Sequence, residues 1–146
     1  MREIKFRAFY KPRRLMLNVL SIDFINQWVE LECPYEDLEG GDNISAMFHE
    51  IELMQYTGVK DKNGVEIYEG DLFRSGPSYN ERSFRVNWED EDARFLGIGY
   101  GKDSERVPGE KYVCYVGVYN KLKNNTVEVI GNIYENPELL EEDKNA

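Results

Sequence analysis

In the stretch "LMQYTGVKDKNGVEIYEGDLF", residues 53–73, two β-favouring runs flank a tight charged turn. Asn63 and Gly64 form a dipeptide that readily adopts the positive φ angles of short β-turns. The second run resumes the period-two alternation of a strand. Gly70 then interrupts it, and a glycine inside a strand pattern indicates a bulge or a bend. We therefore predict a β-hairpin followed by a sharp bend.

Alternation of apolar and polar residues predicts further strands on both sides of this hairpin. The first nineteen residues read as a hairpin, and "SFRVNW" and "ARFLGIGY" read as another around the acidic turn "EDED", residues 89–92. Near the C-terminus Asn136 is a good helix N-cap, and Pro137 suits the first helical position. The pattern predicts a mainly β protein, an antiparallel small barrel or two packed sheets, with a short C-terminal helix.

Length and composition indicate the class of protein. The chain has 146 residues, the usual size of one domain, so we predict a single domain over residues 1–146. Cys33 and Cys114 share no metal or redox spacing, and no secretion signal or run of about 20 apolar residues is evident. These features predict reduced thiols, no membrane association and a cytoplasmic location.

No motif carries a recognisable catalytic or ligand-binding constellation. His49 is the only histidine, and neither cysteine stands at a zinc-ligand spacing from it. The glycines of "GIGYG", residues 97–101, precede a loop instead of the helix that a nucleotide-binding fingerprint requires. The "EDED" turn offers carboxylates for a metal-assisted hydrolase, but neighbouring strand residues point to opposite faces and converge poorly on one ion. We expect no enzyme activity, no cofactor and no metal.

Aromatic residues are the enriched class, at 13% of the chain. Tyrosine and tryptophan are over-represented in binding surfaces because they present large, stiff, amphipathic area. Tyr56, Tyr68 and Trp88 are therefore candidates for an interaction surface. The alternative for each of them is packing within a sheet.

Three segments, "MREIKFRAFY", "MQYTGVKDKNGVEIYEGDLF" and "VIGNIYENPELL", resemble the signature segments of the YopX family of bacteriophage and prophage proteins. The resemblance implies a β-rich phage or prophage protein, acting in the bacterial host cytoplasm, with no assigned biochemical activity. Its middle segment is also similar to barrel-forming elements of SH3-like folds. On that interpretation a set of residues serves backbone geometry: Gly58, Asp61, Asn63, Gly64, Ile67, Gly70 and Asp71.

These observations lead to two functional hypotheses. The first is a non-enzymatic accessory protein that binds another protein or assembles with itself. The second is a nucleic-acid-associated protein that uses a basic N-terminal hairpin, although a formal net charge of -10 disfavours binding to phosphates. The basic residues of that hairpin are Arg2, Lys5, Arg7, Lys11, Arg13 and Arg14.

Overall fold

The computed structural model describes residues 3–33, 43–75, 83–91, 93–99, 116–117 and 127–139. Strands dominate these residues, and a 3-10 helix, Phe48–Glu50, accompanies them. The chain divides into two compact units, Met1–Tyr56 and Thr57–Ala146. The single domain over residues 1–146 stays a prediction.

The first unit is built on an antiparallel sheet with strand order β4-β3-β2-β1-β5. The strands are β1 (Phe6–Tyr10), β2 (Leu15–Asp23), β3 (Trp28–Leu31), β4 (Ile44–Met47) and β5 (Ile51–Lys60), the last of which continues into the second unit. A register shift interrupts the β2–β3 pairing between Val19 and Ser21. One face of the sheet carries the core, which is formed by Ala8, Leu17, Val29, Leu31, Ala46 and Ile51.

The described residues of the second unit contain the end of β5 and six further strands. They are β6 (Glu66–Tyr68), β7 (Asp71–Ser75), β8 (Ser83–Glu89), β9 (Arg94–Gly99), β10 (Val116–Gly117) and β11 (Val127–Asn132). β6 pairs with β5, while the others form a five-stranded sheet in the order β10-β9-β8-β7-β11. In its core Phe73 and Phe84 lie opposite each other, with their rings stacked at a centroid distance of 5.2 Å.

The prediction of a mainly β fold is confirmed, including the N-terminal hairpin and the hairpins at Asn63–Gly64 and "EDED". Of the two predicted architectures, the structure shows two antiparallel sheets, and the described residues form no closed barrel. The barrel prediction is therefore wrong for this part of the chain. Alternating strands specify that a sheet forms, whereas closure depends on how its edges meet.

The predicted C-terminal helix is not shown. Only residues 138 and 139 are helical before the described part ends, so the rest of "ENPELLEEDK" lies outside it. Before them a turn takes the polar groups: the Oδ1 of Asn132 accepts hydrogen bonds from the backbone N–H groups of Tyr134 and Glu135, at 3.0 and 2.8 Å. The Oδ1 of Asn136, the expected N-cap, accepts from the backbone N–H of Asn132 at 3.2 Å.

Candidate functional site

The turn between β5 and β6 is organised by the buried carboxylate of Asp61. Its Oδ1 accepts hydrogen bonds from the backbone N–H groups of Asn63 at 2.8 Å and of Val65 at 2.9 Å. Its Oδ2 accepts from the backbone N–H of Val129 in β11, at 2.9 Å. Because a buried carboxylate needs such donors to offset its lost hydration, Asp61 ties the turn to β11 as well as shaping it.

Two glycines of the motif lie at turns where the backbone is left-handed. Gly64 has a φ of 81° at the β5–β6 turn, and Gly70 has a φ of 78° where the chain leaves β6 for β7. The backbone of Gly70 is also tied on both sides, since its N–H donates to the carbonyl of Val86 and its carbonyl accepts from Ile133, both at 2.9 Å. The predicted bend at Gly70 is therefore a turn that leads from one sheet to the other.

The other motif residues lie close to these turns. Gly58 in β5 has a φ of 86°. Ile67 is buried in the core of the second unit, and its carbonyl accepts the hydroxyl of Thr57 at 2.7 Å. Asp71 is buried, and its carboxylate accepts the backbone N–H of Tyr68 at 2.8 Å. In this structure the contacts of the motif are internal hydrogen bonds and core packing.

The aromatic residues proposed for an interaction surface differ in exposure. Tyr56 and Tyr68 expose only 3% and 7% of their surface, because both pack inside the protein. Trp88 is 44% exposed and makes an edge-to-face contact with Phe95 at a centroid distance of 5.0 Å. Of these three residues, only Trp88 therefore offers exposed surface area to a partner.

The described residues contain no group of three or more His, Cys, Asp or Glu side chains arranged to hold a metal ion. His49 is exposed on the 3-10 helix. Residue 92 of the "EDED" turn, Cys114 and residues 100–101 of "GIGYG" lie outside the described residues. No helix in the described ranges has the length and apolar character needed to cross a membrane.

An exposed apolar surface lies at the turn between β2 and β3, which sequence reasoning missed. Phe24 and Ile25 at this turn are 72% and 92% exposed. Trp28 opens β3 and lies directly opposite the exposed Met47 of β4. We call Phe24, Ile25, Trp28 and Met47 the tip surface. Turns normally carry glycine, proline or small polar residues, so two large apolar side chains at this position need an explanation.

The tip surface is joined to the 3-10 helix by a ring contact and by a backbone hydrogen bond. The ring of Phe24 contacts that of Phe48 edge-to-face at a centroid distance of 6.3 Å. The backbone N–H of Phe48 donates to the carbonyl of Gln27 at 2.9 Å, which joins the turn to the 3-10 helix. Gln27 itself has a φ of 58°, in the left-handed region. A hydrogen bond therefore fixes the backbone of the turn that carries these exposed side chains.

Asp23 closes the turn that carries Phe24 and Ile25. Its Oδ1 accepts hydrogen bonds from the backbone N–H groups of Ile25 at 3.0 Å and Asn26 at 2.9 Å, and its Oδ2 accepts from the Asn26 side-chain amide at 2.8 Å. The backbone N–H and then the side chain of Asn26 lower the pKa of the Asp23 carboxyl, since hydrogen bonds favour its charged form. A signal for this turn is present in the sequence as an Asp and an Asn three positions apart.

Comparison with known proteins identifies the family. The family model described as YopX protein matches residues 5–141, nearly the whole chain. The chain belongs to the YopX family. This YopX family member is also similar to a solved structure, the crystal structure of protein EF1440 from Enterococcus faecalis. The two are 27% identical with a TM-score of 0.58, and the match covers 96% of this chain and 99% of that one. No curated protein matches the chain.

The family match bears on both features described above. The resemblance seen in three separated segments extends over residues 5–141, and this range includes the Asp61 turn and the tip surface. The likeness to protein EF1440 covers nearly all of both chains, so it concerns the whole β-rich fold. This YopX family member thus contains one turn whose contacts are internal and another turn that carries exposed apolar side chains.

Proposed function

We propose that this YopX family member is a non-enzymatic, phage-type accessory protein that binds another protein through the tip surface. The observation that supports the proposal is the 92% exposure of Ile25 beside Phe24, on a turn closed by Asp23. Tryptophan and other aromatic residues, together with methionine, are enriched in protein interfaces, and exposed apolar clusters mark such sites. The hydrogen bonds that close the turn also fix its backbone, so less conformational entropy is lost on binding.

Site-specific photo-crosslinking tests the proposal. A photoreactive phenylalanine analogue at position 25 reports on the tip surface, and the same analogue at the exposed position 63 is the matched control on the β5–β6 turn. In lysate of a bacterial host, we expect a discrete protein adduct from position 25 that is absent from position 63. A Met47→Ser variant should weaken the adduct. Equal adducts from both positions, or none from position 25, would contradict the proposal.

Nucleic-acid association through the basic N-terminal hairpin is the second candidate. Lys11, Arg13 and Arg14 are all exposed at the turn between β1 and β2, which favours it. Lys11 is partly neutralised by Glu52, with Nζ and Oε1 3.2 Å apart, and the guanidinium of Arg14 lies over the ring of Phe9 at 5.9 Å. Arg7 is half-buried on β1, and Arg2 lies outside the described residues.

Fluorescence anisotropy with labelled duplex DNA tests this second candidate. Three phosphate contacts predict a slope of about -2.7 for log K against log salt. The paired change Arg13→Glu and Arg14→Glu should abolish binding at low salt. An exposed pair elsewhere, Lys60→Glu with Lys62→Glu, is the control for net charge. The candidate is rejected if both double variants bind DNA as the natural sequence does.

A further inference from the structure

The segment of the chain that builds the tip surface contains acidic residues but no lysine or arginine. From residue 15 to residue 59 the sequence contains no lysine and no arginine. This stretch includes β2, β3, β4 and the 3-10 helix, all of the elements that build the tip surface. Charged side chains that neighbour the tip surface on these elements are therefore carboxylates, with His49 as the sole titratable base of the stretch.

Three carboxylates stand next to members of the tip surface. Asp23 lies directly opposite Trp28 in the β2–β3 pairing. Glu30 follows Trp28 by two positions in β3, so its side chain lies on the same face, where its Oε2 accepts the hydroxyl of Ser45 at 3.2 Å. The Oε2 of Glu50 accepts the backbone N–H of Met47 at 2.8 Å. The apolar area is thus bordered by negative charge.

Lys11, at the turn between β1 and β2, approaches the 3-10 helix, and its cation is already engaged. The Nζ of Lys11 donates to the carbonyl of His49 at 3.3 Å and pairs with the carboxylate of Glu52 at 3.2 Å. This pair is exposed and adds little net energy, but its two charges offset each other. Asp23, Glu30 and Glu50 lie next to members of the tip surface and give its border a negative charge.

From this arrangement we infer that the partner of the tip surface is a protein segment whose apolar side chains are interspersed with lysine or arginine. The inference rests on the proposed function and adds the chemistry of the partner. Complementary charge at the rim accelerates encounter and rejects wrong partners, while buried apolar and aromatic side chains supply most of the affinity. A phosphate backbone or an anionic lipid surface has the wrong sign for this rim.

Tryptophan fluorescence gives a direct test with a defined probe. The chain has two tryptophans, so a Trp88→Phe background leaves Trp28 as the only indole, inside the tip surface. The probe is a soluble peptide of leucines interspersed with lysines, and matched peptides carry glutamate in place of lysine or serine in place of leucine. We expect only the leucine and lysine peptide to shift Trp28 emission at low micromolar concentration, with affinity falling as salt is raised.

Single-residue variants then test whether the leucine and lysine peptide binds at the tip surface. Ile25→Ser should weaken binding of the leucine and lysine peptide about tenfold, the effect of losing one well-buried contact. Glu30→Gln should weaken it less and reduce its salt dependence, whereas Glu128→Gln, an identical charge change in β11, should leave it unchanged. Circular dichroism of each variant checks that the fold is retained.

Three outcomes would overturn the inference, and the first two of them leave the proposed function standing. Equal binding of the lysine and glutamate peptides would show that the charge bordering the tip surface does not select a basic partner. Binding that Ile25→Ser does not weaken would show that a basic peptide attaches elsewhere on an acidic protein. A concentration-dependent doubling of mass, removed by Ile25→Ser, would assign the surface to a second copy and also overturn it. Failure of the crosslinking from position 25, in contrast, rejects the proposed function itself.

Discussion

The β5–β6 turn and the β2–β3 turn use the same local chemistry for different ends. Each begins with an aspartate whose Oδ1 accepts two backbone N–H groups of the turn, and each contains a residue with positive φ, Gly64 in one and Gln27 in the other. They differ in the second carboxylate oxygen. That of Asp61 reaches Val129, 68 positions along the chain, whereas that of Asp23 bonds to Asn26 within its own turn.

The fold depends on the β5–β6 turn more than on the β2–β3 turn. Asp61 is buried and joins two distant segments of the second unit, so its loss affects more than the hairpin. Asp23 holds a turn whose apolar side chains face solvent, so its loss should remain local. The β5–β6 turn therefore serves folding, whereas the β2–β3 turn presents a surface.

Replacement of Asp61 should have the largest effect. Asp61→Ala leaves the backbone N–H groups of Asn63, Val65 and Val129 without their acceptor, and we expect the free energy of unfolding to fall by about 3 kcal/mol. Urea denaturation followed by circular dichroism measures it. Asp61→Asn keeps one acceptor oxygen and should lose less. If Asp23→Ala cost as much as Asp61→Ala, the distinction between the two turns would be wrong.

Replacement of Gly64 should have a smaller effect. Gly64→Ala must hold an L-residue at a φ of 81°, and because a Cβ there meets no atom within 4 Å, backbone strain alone should cost about 1 kcal/mol. The same urea denaturation measures this cost. Gln27→Gly is the matched control, since relief of strain at a φ of 58° is offset by the entropy of the added glycine, and it should change stability by less than about 0.5 kcal/mol. Unchanged stability of Gly64→Ala would contradict the prediction.

The sequence specified the local parts of this structure better than the distant ones. The Asn63–Gly64 hairpin followed from its own residues, because positive φ and strand alternation are local properties. The role of Asp61 as a link to Val129 could not be read, since no local signal names a partner 68 positions away. Hydrogen bonding around Asn132 likewise competed with the helix cap expected at Asn136.

The exposure of the tip surface could not be predicted from the sequence for a different reason. "SIDFINQW", residues 21–28, has the apolar content of a buried strand, and exposure is a property of the folded chain that alternation does not encode. Only the Asp23 to Asn26 spacing indicates a turn there, and it requires the two apolar residues between them to lie at its apex. The two buried tyrosines show the converse, because residues chosen for an interaction surface by type alone lie inside the protein.

The titration of Asp23 should show a modest effect of pH. Because hydrogen bonds lower its pKa in the folded protein, its stabilising contribution is present above the unfolded value of about 3.9 and is lost as pH falls through the folded pKa. Carboxyl NMR should therefore give Asp23 a midpoint below that value, and Asn26→Ala should raise it. The stability difference between the natural protein and Asp23→Asn should disappear at the lowest pH. A midpoint at or above the ordinary value would show that the turn is open in solution.

The smallest effect is expected at the most exposed apolar residue. Ile25→Ser should leave the free energy of unfolding within about 0.5 kcal/mol of the natural protein, because Ile25 is 92% exposed and has little buried area to lose. Ile67→Val is the contrasting change in the core, where one lost methylene should cost about 1 kcal/mol by the same urea denaturation. Unchanged stability at position 25 would mean that folding does not require this isoleucine, which is compatible with a role in binding. A loss above 1 kcal/mol would instead show that Ile25 packs against the protein in solution, and the tip surface would no longer support a binding function.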